Sequence, residues 1–83
     1  MRKKHPILVK LGHNIVLLRK SRKWSQEDLA LEAGLDRTYV GGIERGERNV
    51  AVLNLCRIAK TLKVKPARLF RGLERIEIDL TEQ

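Results

Sequence analysis

Residues 26–45, QEDLALEAGLDRTYVGGIER, decide the fold. Their spacing predicts two short helices joined by a tight turn. Ser25 can cap the first helix, and Asp28, three residues on, can complete a capping box. Gly34 can adopt the left-handed conformation that ends this helix, and Asp36 can cap the next one. Small and apolar residues at the remaining spacings would form the core that the two helices share: Leu29, Ala30, Ala33, Val40 and Ile43.

Two helices of this length, with a small residue at their crossing and a glycine in the turn, are the pattern of a helix-turn-helix. The stretch resembles the lambda repressor/Cro-like (XRE-type) regulators, and the resemblance extends from about Leu11 to Phe70. Short single-domain regulators of phages and bacteria look similar, and so do the controller proteins of restriction–modification systems. The resemblance implies an all-α fold, a compact five-helix bundle. A helical hairpin that merely packs is the alternative.

The 83 residues suffice for one small domain. We expect a basic arm over residues 1–5, the helix-turn-helix domain over 6–72 and a tail over 73–83. Amphipathic spacing predicts helix 1 from Pro6 to about residue 22. Helix 4 should run from about 50 to 62 with Asn49 as its cap, and helix 5 should open at Pro66. The residues that we expect to face the core from helix 4 are Leu53, Cys56, Ala59 and Leu62.

The tail alternates apolar and polar residues from Ile76 to Thr81, which is the period of a strand with one covered face. An isolated strand leaves its backbone unpaired and needs a partner. A frayed tail or an extra turn of helix is the other interpretation. Because a two-fold symmetric operator is bound by two copies of a DNA-binding domain, we expect a homodimer. Its interface candidates are Leu69, Phe70, Ile76, Ile78 and Leu80.

The charge is unevenly distributed along the chain. The first 23 residues hold eight Lys and Arg and no acid, whereas residues 24–83 hold ten of each sign, so the whole net charge of +8 lies in the first 23. An uncompensated basic segment favours a polyanion such as double-stranded DNA, although a solvated tail is the alternative. The arm residues expected to contact DNA are Arg2, Lys3 and Lys4.

Other classes of protein lack support in this sequence. No apolar stretch is long enough to span a bilayer, and no signal peptide is visible. The lone Cys56 has no partner for a disulfide, and His5 and His13 have no partners at catalytic or metal-binding spacing. We therefore expect no enzyme activity, no cofactor, no metal, no membrane and a cytoplasmic location.

A helical wheel of the second motif helix places Thr38, Gly42 and Arg45 on the face opposite its core residues. The resemblance implies that bases are read by Arg37, Thr38 and Gly42, although glycine departs from the polar side chains that the family has there. It also implies an ion pair between Arg19 and Glu44. The phosphate contacts are expected from Gln26, Tyr39, Arg45, Arg48 and Asn49. Tyr39 could instead pack against Arg48, and Arg48 could instead enter the minor groove.

The sequence thus predicts a sequence-specific transcription regulator that binds a two-fold symmetric operator as a dimer. One alternative is an antitoxin whose main surface binds a toxin protein and whose DNA binding is autoregulatory. Another is a non-specific nucleic-acid or coactivator module dominated by the basic arm. RNA polymerase is a further candidate partner of a regulator of this kind.

Overall fold

Five α-helices follow one another along the chain in a computed structural model that describes residues 4–81. A 3-10 turn at Leu73–Arg75 comes after them, and residues 4–81 contain no strand. The predicted all-α, five-helix class is confirmed. Of the arm, Arg2 and Lys3 lie outside the described residues. The helices are α1 (Pro6–Ser21), α2 (Gln26–Ala33), α3 (Arg37–Glu44), α4 (Val52–Thr61) and α5 (Pro66–Leu69).

The ends of α2 and α3 form as their local sequence predicts. The Ser25 hydroxyl accepts a hydrogen bond from the Asp28 amide at 3.0 Å, and the Asp28 carboxylate accepts one from the Ser25 amide at 2.8 Å. Gly34 has a φ of 68° and ends α2 in the left-handed conformation. The Asp36 carboxylate accepts from the Thr38 amide at 2.8 Å and starts α3. These caps define where the two motif helices begin and where α2 ends.

Aliphatic side chains from all five helices meet in one core. Helix α3 packs on α1 and α2, and α4 packs on α2 and α5. Burial of these side chains removes apolar surface from water and is the main force that holds the short helices together. The largest side chains with almost no exposed surface are Ile15, Leu29, Val40, Ile43, Ile58 and Leu69.

Helix α4 presents a different face to the core from the one predicted. It begins at Val52 after Ala51, so Asn49 is not its cap, and Leu53 and Cys56 are exposed. Apolar residues occur on every side of this helix, and their spacing therefore fits more than one register. Packing against α2 and α5 selects the face made of Leu55, Ile58, Ala59 and Leu62.

Helix α1 crosses α3 at Gly12, which is buried. A Cβ atom at this position would lie 2.4 Å from the carbonyl oxygen of Ile43 and 2.5 Å from that of Glu44. Backbone atoms cannot move aside as the end of a flexible side chain can. The close approach of the two helices therefore requires glycine here.

Asn14 connects α1 to the end of α5. Its buried side-chain amide donates to the carbonyl oxygens of Leu69 at 2.8 Å and Arg71 at 3.0 Å. Leu69 is the last residue of α5 and Arg71 lies just beyond it, where carbonyl oxygens have no partner within the helix. The two hydrogen bonds hold the end of α5 against α1.

The tail does not form the predicted strand within the described residues. After Arg75 the backbone is extended at Ile76, and the Asp79 carboxylate then accepts from both the amide (2.9 Å) and the hydroxyl (2.6 Å) of Thr81. These hydrogen bonds lower the pKa of the Asp79 carboxyl. The local turn and the lack of a partner strand over residues 4–81 account for the difference.

No helix within residues 4–81 is both long and apolar enough to cross a membrane. That part of the chain also contains no group of three or more His, Cys, Asp or Glu side chains that could hold a metal ion.

Candidate DNA interface

A buried ion pair fixes the position of the motif helix α3 relative to α1. Arg19 donates from Nε to Oε2 of Glu44 at 2.7 Å and from Nη2 to Oε1 at 2.9 Å. Its Nη1 donates to the carbonyl oxygen of Trp24 at 2.8 Å. The hydrogen bonds that Arg19 donates to Glu44 raise the pKa of Arg19 against the opposing effect of burial. Because the pKa is raised from an already high value, the guanidinium stays charged across the working pH range.

The same carboxylate also holds Gln26, the first residue of α2. The Gln26 side-chain amide donates from Nε2 to Oε1 of Glu44 at 2.8 Å. Its second amide hydrogen remains for another acceptor. The N-terminus of α2 adds free backbone N–H groups and a positive dipole end, which favour an anion such as phosphate. The sequence pattern did not predict the Gln26–Glu44 bond.

Two exposed side chains stand at the start of α3, Arg37 and Thr38. The Arg37 Nε lies 3.5 Å from Oε1 of Glu27, and both side chains are more than half exposed. An exposed ion pair of this kind contributes only about 0–1 kcal/mol. The Arg37 guanidinium can therefore exchange Glu27 for another partner at small cost.

Two arginines cover Gly41 and Gly42 of α3: Arg45 at the end of the helix and Arg48 in the loop that follows it. Gly42, predicted to contact bases, is buried under Arg48, so its own surface does not face solvent. A Cβ atom on Gly42 would lie 3.0 Å from Cγ and 3.2 Å from Nε of Arg48. Gly41 is likewise buried, with Arg45 Nη1 3.0 Å and Gln26 Oε1 3.4 Å from the position of its missing Cβ.

Tyr39 lies beside the Arg48 side chain that covers Gly42. The Arg48 guanidinium lies 5.7 Å from the centre of the Tyr39 ring, and Asn54 on α4 donates to the Tyr39 hydroxyl at 3.0 Å. Of the two roles predicted for Tyr39, packing against Arg48 is present in the structure. Asn54 lies on another helix and carries no local signal, and sequence reasoning missed it.

The loop after α3 is polar and exposed around Asn49. Arg45 donates from Nε to Glu47 Oε1 at 3.1 Å, and the Lys4 ammonium lies 3.7 Å from Glu47 Oε2. Glu47 therefore neutralises part of the positive charge in this loop. Arg48 is the neighbouring cation that takes no part in the pairing.

A scan of protein families identifies this arrangement. Residues 15–69, from the middle of α1 to the end of α5, match the family described as Helix-turn-helix. The chain belongs to the helix-turn-helix family. This match confirms the family resemblance predicted from residues 26–45.

Curated relatives of this helix-turn-helix chain include the control protein C.MunI of Mycoplasma sp. It is 39% identical over 70 residues, which are 83% of this chain and 95% of that protein. A hypothetical transcription factor of Neisseria meningitidis serogroup B is 46% identical over 54 residues, which are 65% of this chain. The chain spans about half of the Neisseria relative's length, 51%.

A solved structure of high similarity is a complex with DNA. It contains the restriction–modification controller protein C.Esp1396I as a tetramer on its natural 35 base-pair operator. It is 38% identical, has a TM-score of 0.76, and the comparison covers 87% of this chain and 95% of that one. This helix-turn-helix chain is therefore a DNA-binding transcription regulator and not an enzyme.

Proposed function

We propose that the protein is the controller of a restriction–modification locus, which binds a two-fold symmetric operator as a homodimer with α3 in the major groove of each half-site. Its relatives include control proteins, and the C.Esp1396I controller is a tetramer on its operator. The chain itself contains one helix-turn-helix, and a symmetric site requires at least two copies. A DNA-bound regulator of this kind belongs in the cytoplasm.

Arg37 and Thr38 are the proposed base-reading residues. The observation that carries this proposal is their exposure at the first two positions of α3, directly after the Asp36 cap. A guanidinium can donate two hydrogen bonds to O6 and N7 of guanine, and a threonine can contact a thymine methyl group or a base edge. With Gly42 covered, direct readout from α3 itself should be concentrated at few base pairs.

Phosphate contacts would position the domain without carrying sequence information. We assign them to Gln26 at the start of α2 and to the side chains that follow or flank α3: Tyr39, Arg45, Arg48 and Asn49. Lys4 is exposed before α1 and would add a contact from the arm.

The proposed dimer surface consists of residues after α5. Leu69, which was predicted to belong to it, is excluded. Leu69 has no exposed surface because its side chain fills the core of its own subunit. Phe70 is 42%, Ile78 54% and Leu80 92% exposed, and Ile76 is partly buried. Apolar side chains this exposed are candidates for burial against a second copy.

Selection of bound DNA from a random pool by wild type, Arg37→Ala and Gln26→Ala, at fixed salt, tests the assignment of roles. Arg37→Ala should cost about 1–3 kcal/mol per half-site and relax the preference at one guanine in each. Arg37→Lys should restore affinity more than specificity, because an ammonium cannot donate in the bidentate geometry.

Gln26→Ala is the matched control, since a lost phosphate contact should weaken all sequences alike. If the Arg37→Ala variant selects the same motif with undiminished contrast, Arg37 does not read bases. If wild type selects no motif, the protein is not a sequence-specific regulator.

A further inference from the structure

Three arginines surround the outer face of α3, and they differ in their partners. Arg37 pairs with Glu27, and Arg45 pairs with Glu47. Among residues 4–81, Arg48 has no carboxylate partner, and its guanidinium donates no hydrogen bond. Its charge is therefore the one in this group that no acid of the described chain neutralises.

Arg48 is nevertheless held in place by uncharged groups. The Tyr39 ring lies beside its guanidinium at 5.7 Å, and Asn54 fixes the Tyr39 hydroxyl from α4. A cation beside an aromatic ring is attracted by the electrons of the ring face and keeps its N–H donors free. The aliphatic part of Arg48 lies across Gly42. The side chain is thus directed from the loop back over α3.

Gly42 provides the space for this path. An added Cβ would meet Arg48 at Cγ (3.0 Å) and at Nε (3.2 Å). Because Cγ is close to the backbone, relief of this contact requires a new χ1 rotamer or a shift of the loop, and either change moves the guanidinium away.

Gly41 is different. An added Cβ there would meet the far end of Arg45, Nη1 at 3.0 Å, which a small rotation can withdraw. Both glycines lie in α3, where alanine would have the higher helix propensity. Glycine at position 42 therefore lowers helix propensity and leaves room for Arg48.

We propose that Gly42 is a positioning residue for DNA binding: its missing side chain lets Arg48 lie across α3, where the guanidinium meets the DNA. This inference rests on the proposed function. It replaces the expectation that position 42 contacts bases itself. The DNA-contacting group over the middle of α3 comes instead from the loop that follows the helix.

The test is a double-mutant cycle on operator affinity with Gly42→Ala, Arg48→Ala and both together, and with Gly41→Ala as the matched control. Gly42→Ala should weaken binding by about fivefold or more, as expected for the loss of one arginine contact, while thermal stability is kept or raised. Gly41→Ala should have much the smaller effect on affinity. In the Arg48→Ala background, Gly42→Ala should change affinity no further.

Equal affinities of Gly41→Ala and Gly42→Ala, or losses from Gly42→Ala and Arg48→Ala that multiply, would overturn the proposal. A measurement on the free protein tests this inference independently of the proposed function. In the free protein, NMR shifts of the Arg48 side-chain protons caused by the Tyr39 ring should be reduced by Gly42→Ala and retained in Gly41→Ala. Retention of those shifts in Gly42→Ala also rejects the inference, even if the wild type selects an operator normally.

Discussion

At residue 12 the backbones of α1 and α3 come so close that no side chain fits between them. Gly12→Ala would place its Cβ 2.4–2.8 Å from backbone atoms of Ile43 and Glu44. Because the helices must separate, we expect a loss of about 1–3 kcal/mol in the free energy of unfolding. Urea denaturation measures it, with His13→Ala at the exposed neighbouring position as control. A midpoint equal to that of the control would contradict the close crossing.

Residues whose role is local were predictable from the sequence pattern, whereas residues whose role depends on a distant segment were not. The Arg19–Glu44 ion pair joins distant segments, and it was expected only from the family resemblance. Gly34 ends α2 through its own backbone conformation, and Asp36 caps the helix that immediately follows it. The need for glycine at position 12 depends on how closely α3 approaches α1. Whether Gly42 is exposed depends on the path of the loop that carries Arg48. No spacing rule contains that information. The base-reading role of Arg37 was expected from the family resemblance and stays a prediction; its side chain is exposed at the start of α3.

Helix α5 has four residues and depends on its neighbours for its position. Asn14→Leu removes both hydrogen bonds from α1 and leaves the buried carbonyl of Leu69 and that of Arg71 without this donor, at roughly 1–3 kcal/mol for a buried group. We expect faster amide hydrogen exchange over residues 66–75 together with a lower Tm. Asn54→Leu, the same substitution on α4, should leave exchange in α5 unchanged. Unaltered protection of α5 in Asn14→Leu would show that packing alone holds it.

The prediction of whole elements succeeded where start and stop signals were strong. Helices α2 and α3 have their caps in the sequence, whereas α4 begins without a side-chain cap and is apolar on several sides. Its register was therefore ambiguous, and the face containing Leu53 and Cys56 was predicted in place of the face containing Leu55 and Ile58. The tail shows the same limit, because alternation predicts a strand only if a partner strand is supplied.

For the whole molecule, the exposed end of the chain should control assembly. Substituting Ile78 and Leu80 by Ser removes apolar surface that is now in water, so each subunit should stay folded while self-association weakens. Sedimentation over a range of concentrations measures this effect. Operator affinity should fall with it, since two copies are needed for a symmetric site.

The controls are two equally apolar and exposed residues elsewhere on the surface. Leu31 is 78% and Leu53 81% exposed. Changing these two leucines to Ser should leave the sedimentation profile unchanged. A profile that shifts for this pair and not for the tail pair would relocate the interface to α2 and α4.

Cys56, exposed on α4, gives each chain a single accessible thiol. One spin label or fluorophore can therefore be attached per subunit without removing any other cysteine. In an assembly of two copies, the two labels would be related by symmetry, and one distance between them would report how the subunits are arranged, with and without DNA. The same thiol would crosslink copies under oxidising conditions, so a covalent dimer must be excluded by reductant before any association is assigned to the tail.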